Sequence, residues 1–389
     1  MLLGLSVIAP ILPYYAETFH VNYTLVGLVV AAFGIARMFL DLPAGFLAQR
    51  FNKKNLMLLG LILVSTSSIM AGFAQDYWML LTARVIEGLG SAIYVTTATI
   101  FIALVTTPER RGFLMSIYSG FLLLGAIFGP SFGGFIADTY GINAPFFAYA
   151  IISASGIIPT LILPHVNNSN IERNIKIQNL YHLAGNTLKD PRYIPVLPSI
   201  FSLFFIRTGV RSTLVPLFSG NDLGLNEFDI GILLTFAGIA TACTMVPIGF
   251  ISDKIGRRTP LLLSLIISAP VTIWIAFTND FMQISIVMFV YGAIIGLSGP
   301  IAAYVTDIAP KDKLEIYMGV YRTVGDIGFV LGPLLMGFLV DLTNIPVMRG
   351  ETLIELVEWP PFAIAAFIML LSGLILFKAP NLKQSDLKD

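Results

Sequence analysis

Charge is what this sequence has least of. Only 12% of its 389 residues are Asp, Glu, Lys or Arg, against 56% hydrophobic. A water-soluble domain carries about twice that charge. With a mean hydropathy of +0.83, folding in water is excluded and a polytopic membrane protein is implied. Net charge is zero, so no bulk attraction to nucleic acid is expected. The single cysteine, Cys243 in an apolar run, excludes an intramolecular disulfide. A lone thiol there is expected to be buried and to act as a small hydrophobe. Of the three histidines, His20, His165 and His182, none lies deep in an apolar run. That excludes a membrane enzyme built on a motif such as H-E-x-x-H, and neither cofactor nor metal is expected. No Lys or Arg precedes Arg37, so the start lacks the basic region of a signal peptide.

What is present is apolar sequence in lengths that suit a bilayer. A span needs about 20 residues, and twelve runs are predicted: 1–16, 24–48, 56–73, 78–106, 112–137, 144–163, 194–218, 228–251, 260–277, 281–308, 316–341 and 359–378. The first is short, so it is either completed by tilt and interfacial residues or begins before Met1. A polar stretch at 164–193 divides the chain into an N-terminal bundle, 1–163, and a C-terminal bundle with a tail, 194–389. Its apolar residues Ile171, Ile175, Ile177 and Leu180 suit a segment lying along a membrane surface.

Seventeen of the 23 Lys and Arg fall in the loops after even-numbered spans, in the 164–193 linker and in the tail. Five lie inside spans, and only Arg349 lies on the other side. Positive loops stay inside, so both termini and the linker are expected to be cytoplasmic. The opposite loops are acidic, with Asp222, Glu227, Asp229, Glu351, Glu355 and Glu358. Tyr14, Tyr15, Tyr77, Trp78 and Trp359 at span ends suit interfacial belts.

The sequence also repeats itself. Gly249-Phe250-Ile251-Ser252-Asp253-Lys254-Ile255-Gly256-Arg257-Arg258 is a charged turn between two spans, and 204 residues earlier stands a damaged copy, Gly45 to Lys54. Internal duplication is how many transporters are built. The later copy resembles the signature loop of the major facilitator superfamily, which lies between the second and third helices of each half. In that family the loop aspartate and arginine join an acid at the end of the fourth helix of the half. The resemblance assigns those roles to Asp253, Arg257 and Asp307, with Gly249, Lys254, Gly256 and Arg258 completing the motif. In the first copy Gln49 and Asn52 replace the aspartate and the glycine, and Leu104 stands where the acid would be. That loop is expected to be a simple anchor, because neither acid is present.

The fifth span carries Gly120, Gly129-Pro130 and Gly133-Gly134, which resembles the helix-bend motif of drug:proton antiporters. The eleventh echoes it with Gly328, Gly332-Pro333 and Gly337. Proline removes a backbone hydrogen bond and glycine admits a neighbouring helix, so packing and hinge roles overlap here. The fourth span carries Arg84-Val85-Ile86-Glu87-Gly88, similar to the family's proton-coupling motif. At this spacing Arg84 and Glu87 share a face. Glu87 is either a neutralising partner for Arg84 or a carboxylate that exchanges a proton.

Three further sets remain. Arg207 and Arg211 lie four apart, and so on one face at regular helical spacing, in the seventh span with nothing acidic between them; they suit either an anionic ligand or acids on another helix. Arg37 and Asp41 in the second span, and Arg322 and Asp326 in the eleventh, are each spaced i,i+4. Each pair either neutralises itself or, in the family's architecture, meets the other as a gate, with Asp41 or Asp326 releasable by a proton. Together these sets name Arg84, Glu87, Asp41 and Asp326 as proton-coupling candidates, and Arg207, Arg211, Arg37 and Arg322 as cavity candidates.

The expected fold is therefore an all-α membrane protein of twelve transmembrane helices in two pseudo-symmetric six-helix bundles. The expected activity is proton-coupled efflux of a small molecule by rocker-switch alternating access, in a monomer whose partners are substrate, protons and bilayer. An organic-anion or sugar-type carrier is the alternative within transport, and a non-transporting sensor the alternative outside it. A sensor usually adds a soluble domain, and no loop exceeds about 30 residues.

Overall fold

The computed structural model describes residues 2–106, 108–164, 187–310, 313–349 and 352–382. The chain forms two compact units. One comprises Met1–Arg173 with Asn226–Thr235, the other Asn174–Leu225 with Phe236–Asp389. Among the described residues ten helices are long and apolar enough to cross a bilayer. Two further spans complete twelve: the shorter Pro360–Leu376 and a first span split into Leu2–Ile8 and Leu12–Glu17. Phe39, Phe121, Phe250 and Ile151 are among many large apolar side chains at the surface, where water would penalise them and lipid does not.

Eight spans are unbroken: Tyr23–Arg50, Lys53–Gly72, Tyr77–Val105, Pro108–Tyr140, Glu227–Ile255, Arg258–Ile275, Leu314–Thr343 and Pro360–Leu376. The sixth divides at Gly156 into Ala144–Ser155 and Ile157–Ile162. The tenth divides at Gly299-Pro300 into Phe281–Gly296 and Ile301–Ile308. The seventh, Ile194–Asn221, contains a π-helical turn at Val210–Leu214.

The repeat is legible in local chemistry. Asn22 accepts a hydrogen bond from the Leu25 amide and Asp76 from that of Met79; 204 residues later Asn226 accepts from Asp229 and Asp280 from Gln283. Each side-chain oxygen satisfies an amide that the first turn leaves unpaired. Pro43 and Pro247, also 204 apart, lie inside corresponding helices. Close approaches repeat too. A Cβ on Gly88 would stand 2.5 Å from the Phe33 carbonyl oxygen, and one on Gly292 would stand 2.2 Å from that of Ala237. Only a glycine lets those backbones meet.

Three expectations are corrected. Cys243 is exposed, not buried, on a helix face shared with exposed Val246. The acidic stretch after the eleventh span is an antiparallel hairpin, Ile345–Arg349 with Thr352–Leu356, in which Ile345 pairs with Leu356 and Val347 with Ile354. Its β-branched residues favour extended strands. The π turn also breaks the regular α spacing assumed for Arg207 and Arg211. Residues 165–186 of the linker, including Ile171, Ile175, Ile177 and Leu180, lie outside the described residues.

Candidate functional site

In the first unit the fourth span buries an ion pair. Arg84 and Glu87, 2% and 1% exposed, meet through the Arg84 Nη1 and Glu87 Oε2 atoms. The guanidinium also lies 5.0 Å from the centre of the Phe33 ring, a favourable seat for a cation. Gly88 admits the Phe33 backbone, which places that ring beside Arg84. The hydroxyl of Tyr149, from the sixth span and 1% exposed, interacts electrostatically with both Glu87 and Arg84. Neither that hydroxyl nor Glu87 Oε1 makes a well-formed hydrogen bond to protein. The Tyr149 ring packs on Gly4, where a Cβ would stand 1.9 Å from Cδ2. Sequence reasoning missed Tyr149, because nothing local ties residue 149 to residue 87.

Of the other proton-coupling and cavity candidates, Arg37 and Asp41 lie 3.6 Å apart within one helix, the self-neutralising arrangement their spacing allows. Arg322 and Asp326 share the helix Leu314–Thr343. Asp326 and Arg207 both act electrostatically on Tyr321, and Arg211 interacts with Arg207 and with Tyr291.

The second signature loop is a charge network. Arg257 Nη2 lies 3.0 Å from Asp253 Oδ1, and Arg257 Nε pairs with Asp307. Gly256 adopts φ +92°, a left-handed turn that favours glycine. The loop also grips the end of the chain. Arg258 donates to the carbonyls of Phe377 and Ala379, the Arg257 amide donates to Leu382, and Asn381 donates to Ile255. Lys254 is exposed, and Gly249 has open space where a Cβ would point.

The helix-bend glycines pack closely. In the fifth span Gly133 meets the Val7 backbone and Gly134 that of Glu227, while Pro130 receives Gly231. Ser131 hydrogen-bonds Thr235 at 2.5 Å between hydroxyls. Gly120 meets nothing within 4 Å. In the eleventh span Gly328 and Gly332 receive the backbone of Phe201 and Phe205 from the seventh, and Pro333 lies inside the unbroken helix.

Another contact missed in the sequence closes the linker. Tyr317 donates to Asp190 at 2.6 Å, Arg192 pairs with the same carboxylate at 3.2 Å, and Tyr193 donates to the Tyr317 carbonyl at 2.9 Å. Burial alone would raise the Asp190 carboxyl, but the bonds from Tyr317 and Arg192 hold it below the usual aspartate range.

Known proteins give the same reading. The family model described as Major Facilitator Superfamily matches residues 1–218 and 196–388. Multidrug resistance protein 2 of Bacillus subtilis (strain 168) is 26% identical over 353 residues, covering 87% of this chain and 86% of its own. Quinolone resistance protein NorA of Staphylococcus aureus (strain COL) is 26% identical over 348 residues, with 87% of each chain covered. A POT family transporter solved with a thioalcohol-conjugated peptide has a TM-score of 0.77 at 12% identity, covering 97% of this chain and 93% of that one; this likeness concerns the fold alone. Twelve spans in a duplicated array, a signature loop closed on its acid and a family model matching both halves lead to one conclusion: the chain belongs to the Major Facilitator Superfamily and is a membrane transporter, not an enzyme.

Proposed function

We propose that the protein is a proton-coupled exporter of small amphipathic molecules, working by rocker-switch alternating access. It would sit as a monomer in the cell membrane, with both termini cytoplasmic as the basic loops favour. The observation that carries coupling is the buried Arg84–Glu87 pair beside Tyr149. A carboxylate held by one guanidinium in a dry site has two stable states: ionised and paired, or protonated and released. Loading Glu87 from one face and unloading it to the other would bias the cycle toward export. Relatives named for multidrug and quinolone resistance support an amphipathic cargo. Asp41 and Asp326 remain further proton carriers in this scheme, and Arg37 and Arg322 their partners.

Proteoliposomes test it. Glu87→Gln should abolish transport driven by a pH gradient while substrate counterflow, which needs no net proton movement, persists. Arg84→Ala should lose gradient-driven transport as well. Undiminished gradient-driven transport in both variants would overturn the coupling role. The second reading, an organic-anion carrier, is favoured by the presence of Arg207 and Arg211 inside the seventh span.

A further inference from the structure

Buried hydroxyls in apolar helices usually bond back to a carbonyl one turn earlier. In the first unit Ser67 and Ser68 do so to Val64, and Thr160 to Gly156. Ser65 and Ser153 do not: both are buried, and neither hydroxyl has a hydrogen-bond partner among the described residues. Two more buried polar atoms of the same bundle, the Tyr149 hydroxyl and Glu87 Oε1, make no well-formed hydrogen bond.

Helix packing brings these atoms to one level. A Cβ on Gly60 would stand 2.8 Å from the Gly90 carbonyl oxygen and 2.9 Å from the Tyr94 backbone nitrogen. The third and fourth spans run antiparallel, so Ser65, five residues on from Gly60, falls level with Glu87, five back from the midpoint of Gly90 and Tyr94. Glu87, Gly90 and Tyr94 share the helix face that makes these contacts. On the other side, Asn143 donates to the Gly72 carbonyl at 3.2 Å, and a Cβ on Gly156 would stand 3.4 Å from Leu61. Between those contacts Ser65, four residues on from Leu61, falls opposite Ser153, three back from Gly156. Tyr149 lies one turn from Ser153 on the same face, its ring against Gly4. Its hydroxyl acts on Glu87 without direct hydrogen-bond geometry, an arrangement that a bridging water completes.

Apolar packing closes both ends. Toward one, Met57, Ala98 and Phe101 form a buried cluster with Leu163 against it. Toward the other, the rings of Tyr15 and Phe146 lie 5.0 Å apart, and Tyr15 donates to the Ala71 carbonyl at 3.0 Å. Bulk water is shut out, so the partner left for these atoms is isolated internal water, which settles where buried polar groups converge. The charged and titratable groups around Glu87 come from few directions. Arg84 stands on its own helix and Tyr149 on the sixth. The second span turns Phe33 to Arg84 and carries Arg37 and Asp41 as a separate pair. The third presents Leu61, Ser65 and Ser68, and the first Gly4, none of them ionisable.

We propose that the first bundle binds internal water between its third, fourth and sixth spans, where Ser65, Ser153 and Tyr149 position it against Glu87 Oε1 and so set how readily that carboxylate takes a proton. The role of Glu87 rests on the coupling reading above; the water site rests on the unpartnered hydroxyls and the helix register.

Infrared difference spectroscopy and transport assays on the full protein in proteoliposomes test it. Exchange into heavy-oxygen water should shift an O–H stretching band of the parent protein. Ser153→Val, which exchanges the hydroxyl for two methyl groups, should remove that band. If that variant does not fold, Ser153→Ala and Ser65→Ala, which only take atoms away, should weaken it. The carboxyl band assigned by its loss in Glu87→Gln should change frequency in Tyr149→Phe and Ser153→Ala. In both, the midpoint of the pH profile of gradient-driven transport should rise by about one pH unit, because the ionised carboxylate has lost part of its hydrogen bonding. Ser153→Thr, which keeps the hydroxyl, should restore the parent midpoint. A merely structural role would lower the rate and move neither band nor midpoint. No water band, or a carboxyl band and midpoint unmoved in these variants, would overturn the site. Undiminished gradient-driven transport in Glu87→Gln would overturn the coupling reading instead. The water band would then still decide the site: its loss in Ser153→Val upholds it, and its absence from the parent protein removes it.

Discussion

The loops at 45–54 and 249–258 descend from one pattern and now do different work. In the second, Arg257 lies between Asp253 and Asp307, and Gly256 turns the chain at φ +92°. In the first, Gln49 and Leu104 offer no charge. Asn52, at φ −62°, needs no left-handed turn and instead caps the next helix through the Lys54 amide at 2.9 Å. One function survives in both. Lys54 donates to the Leu161 carbonyl at 2.5 Å, and Arg258 to those of Phe377 and Ala379 at 2.9 and 2.7 Å. Each thus ties the loop to the carbonyl end of the last span of its half, where a cation is favoured by the unpaired carbonyls. Anchoring needs one cation and an existing helix end, so it tolerates the loss of other residues. A three-member ion network does not, because removing one member leaves another partly buried and unmatched.

The largest effect should come from Arg257. Arg257→Ala leaves Asp253 and Asp307 facing each other, at about 2 kcal/mol once their partial exposure is discounted, and should cut transport in proteoliposomes at least about tenfold. Lys53→Ala, the equivalent change where positions 49 and 104 carry no acid, should keep most transport. Equal losses would erase the contrast between the copies.

Gly256→Ala comes next. A Cβ there would stand 2.2 Å from Asn381 Oδ1 on a left-handed backbone, so about 1–2 kcal/mol of stability should be lost. Asn52→Gly should cost only a few tenths of a kcal/mol, since glycine is itself a tolerated cap. Chemical-denaturant or thermal melts of the two variants decide it. An Asn52→Gly variant as damaged as Gly256→Ala would mean that the first loop also depends on its turn.

Asp253→Asn should slow transport several-fold by weakening the 3.0 Å contact with Arg257 while keeping the side chain's shape, and Gln49→Ala should leave the rate unchanged. The smallest effect is the shared one. Lys54→Ala and Arg258→Ala should each lower stability by about 0.5–1 kcal/mol, with Arg258→Ala the larger because it loses two carbonyl bonds. A Lys54→Ala variant indistinguishable from the parent would limit anchoring to the second half.

Composition and periodicity by themselves determined twelve spans and their rough ends, because burial in lipid demands about 20 apolar residues in a row whatever their partners. The 204-residue repeat determined which residues correspond, and helix spacing alone determined that Arg84 could reach Glu87 and Arg37 could reach Asp41. These are local consequences of chain geometry. Tertiary structure decided the rest. Tyr149 reaches Glu87 from 62 residues away, and Asn381 packs on Gly256 from 125. No period in the sequence encodes such meetings, because they depend on which faces of separate helices turn toward one another, and glycines such as Gly4, Gly88 and Gly292 set that by letting particular backbones and rings approach. The hairpin at Ile345–Leu356 and the π turn at Val210–Leu214 belong with them: pairing across a turn and one shifted hydrogen-bond register fixed their geometry.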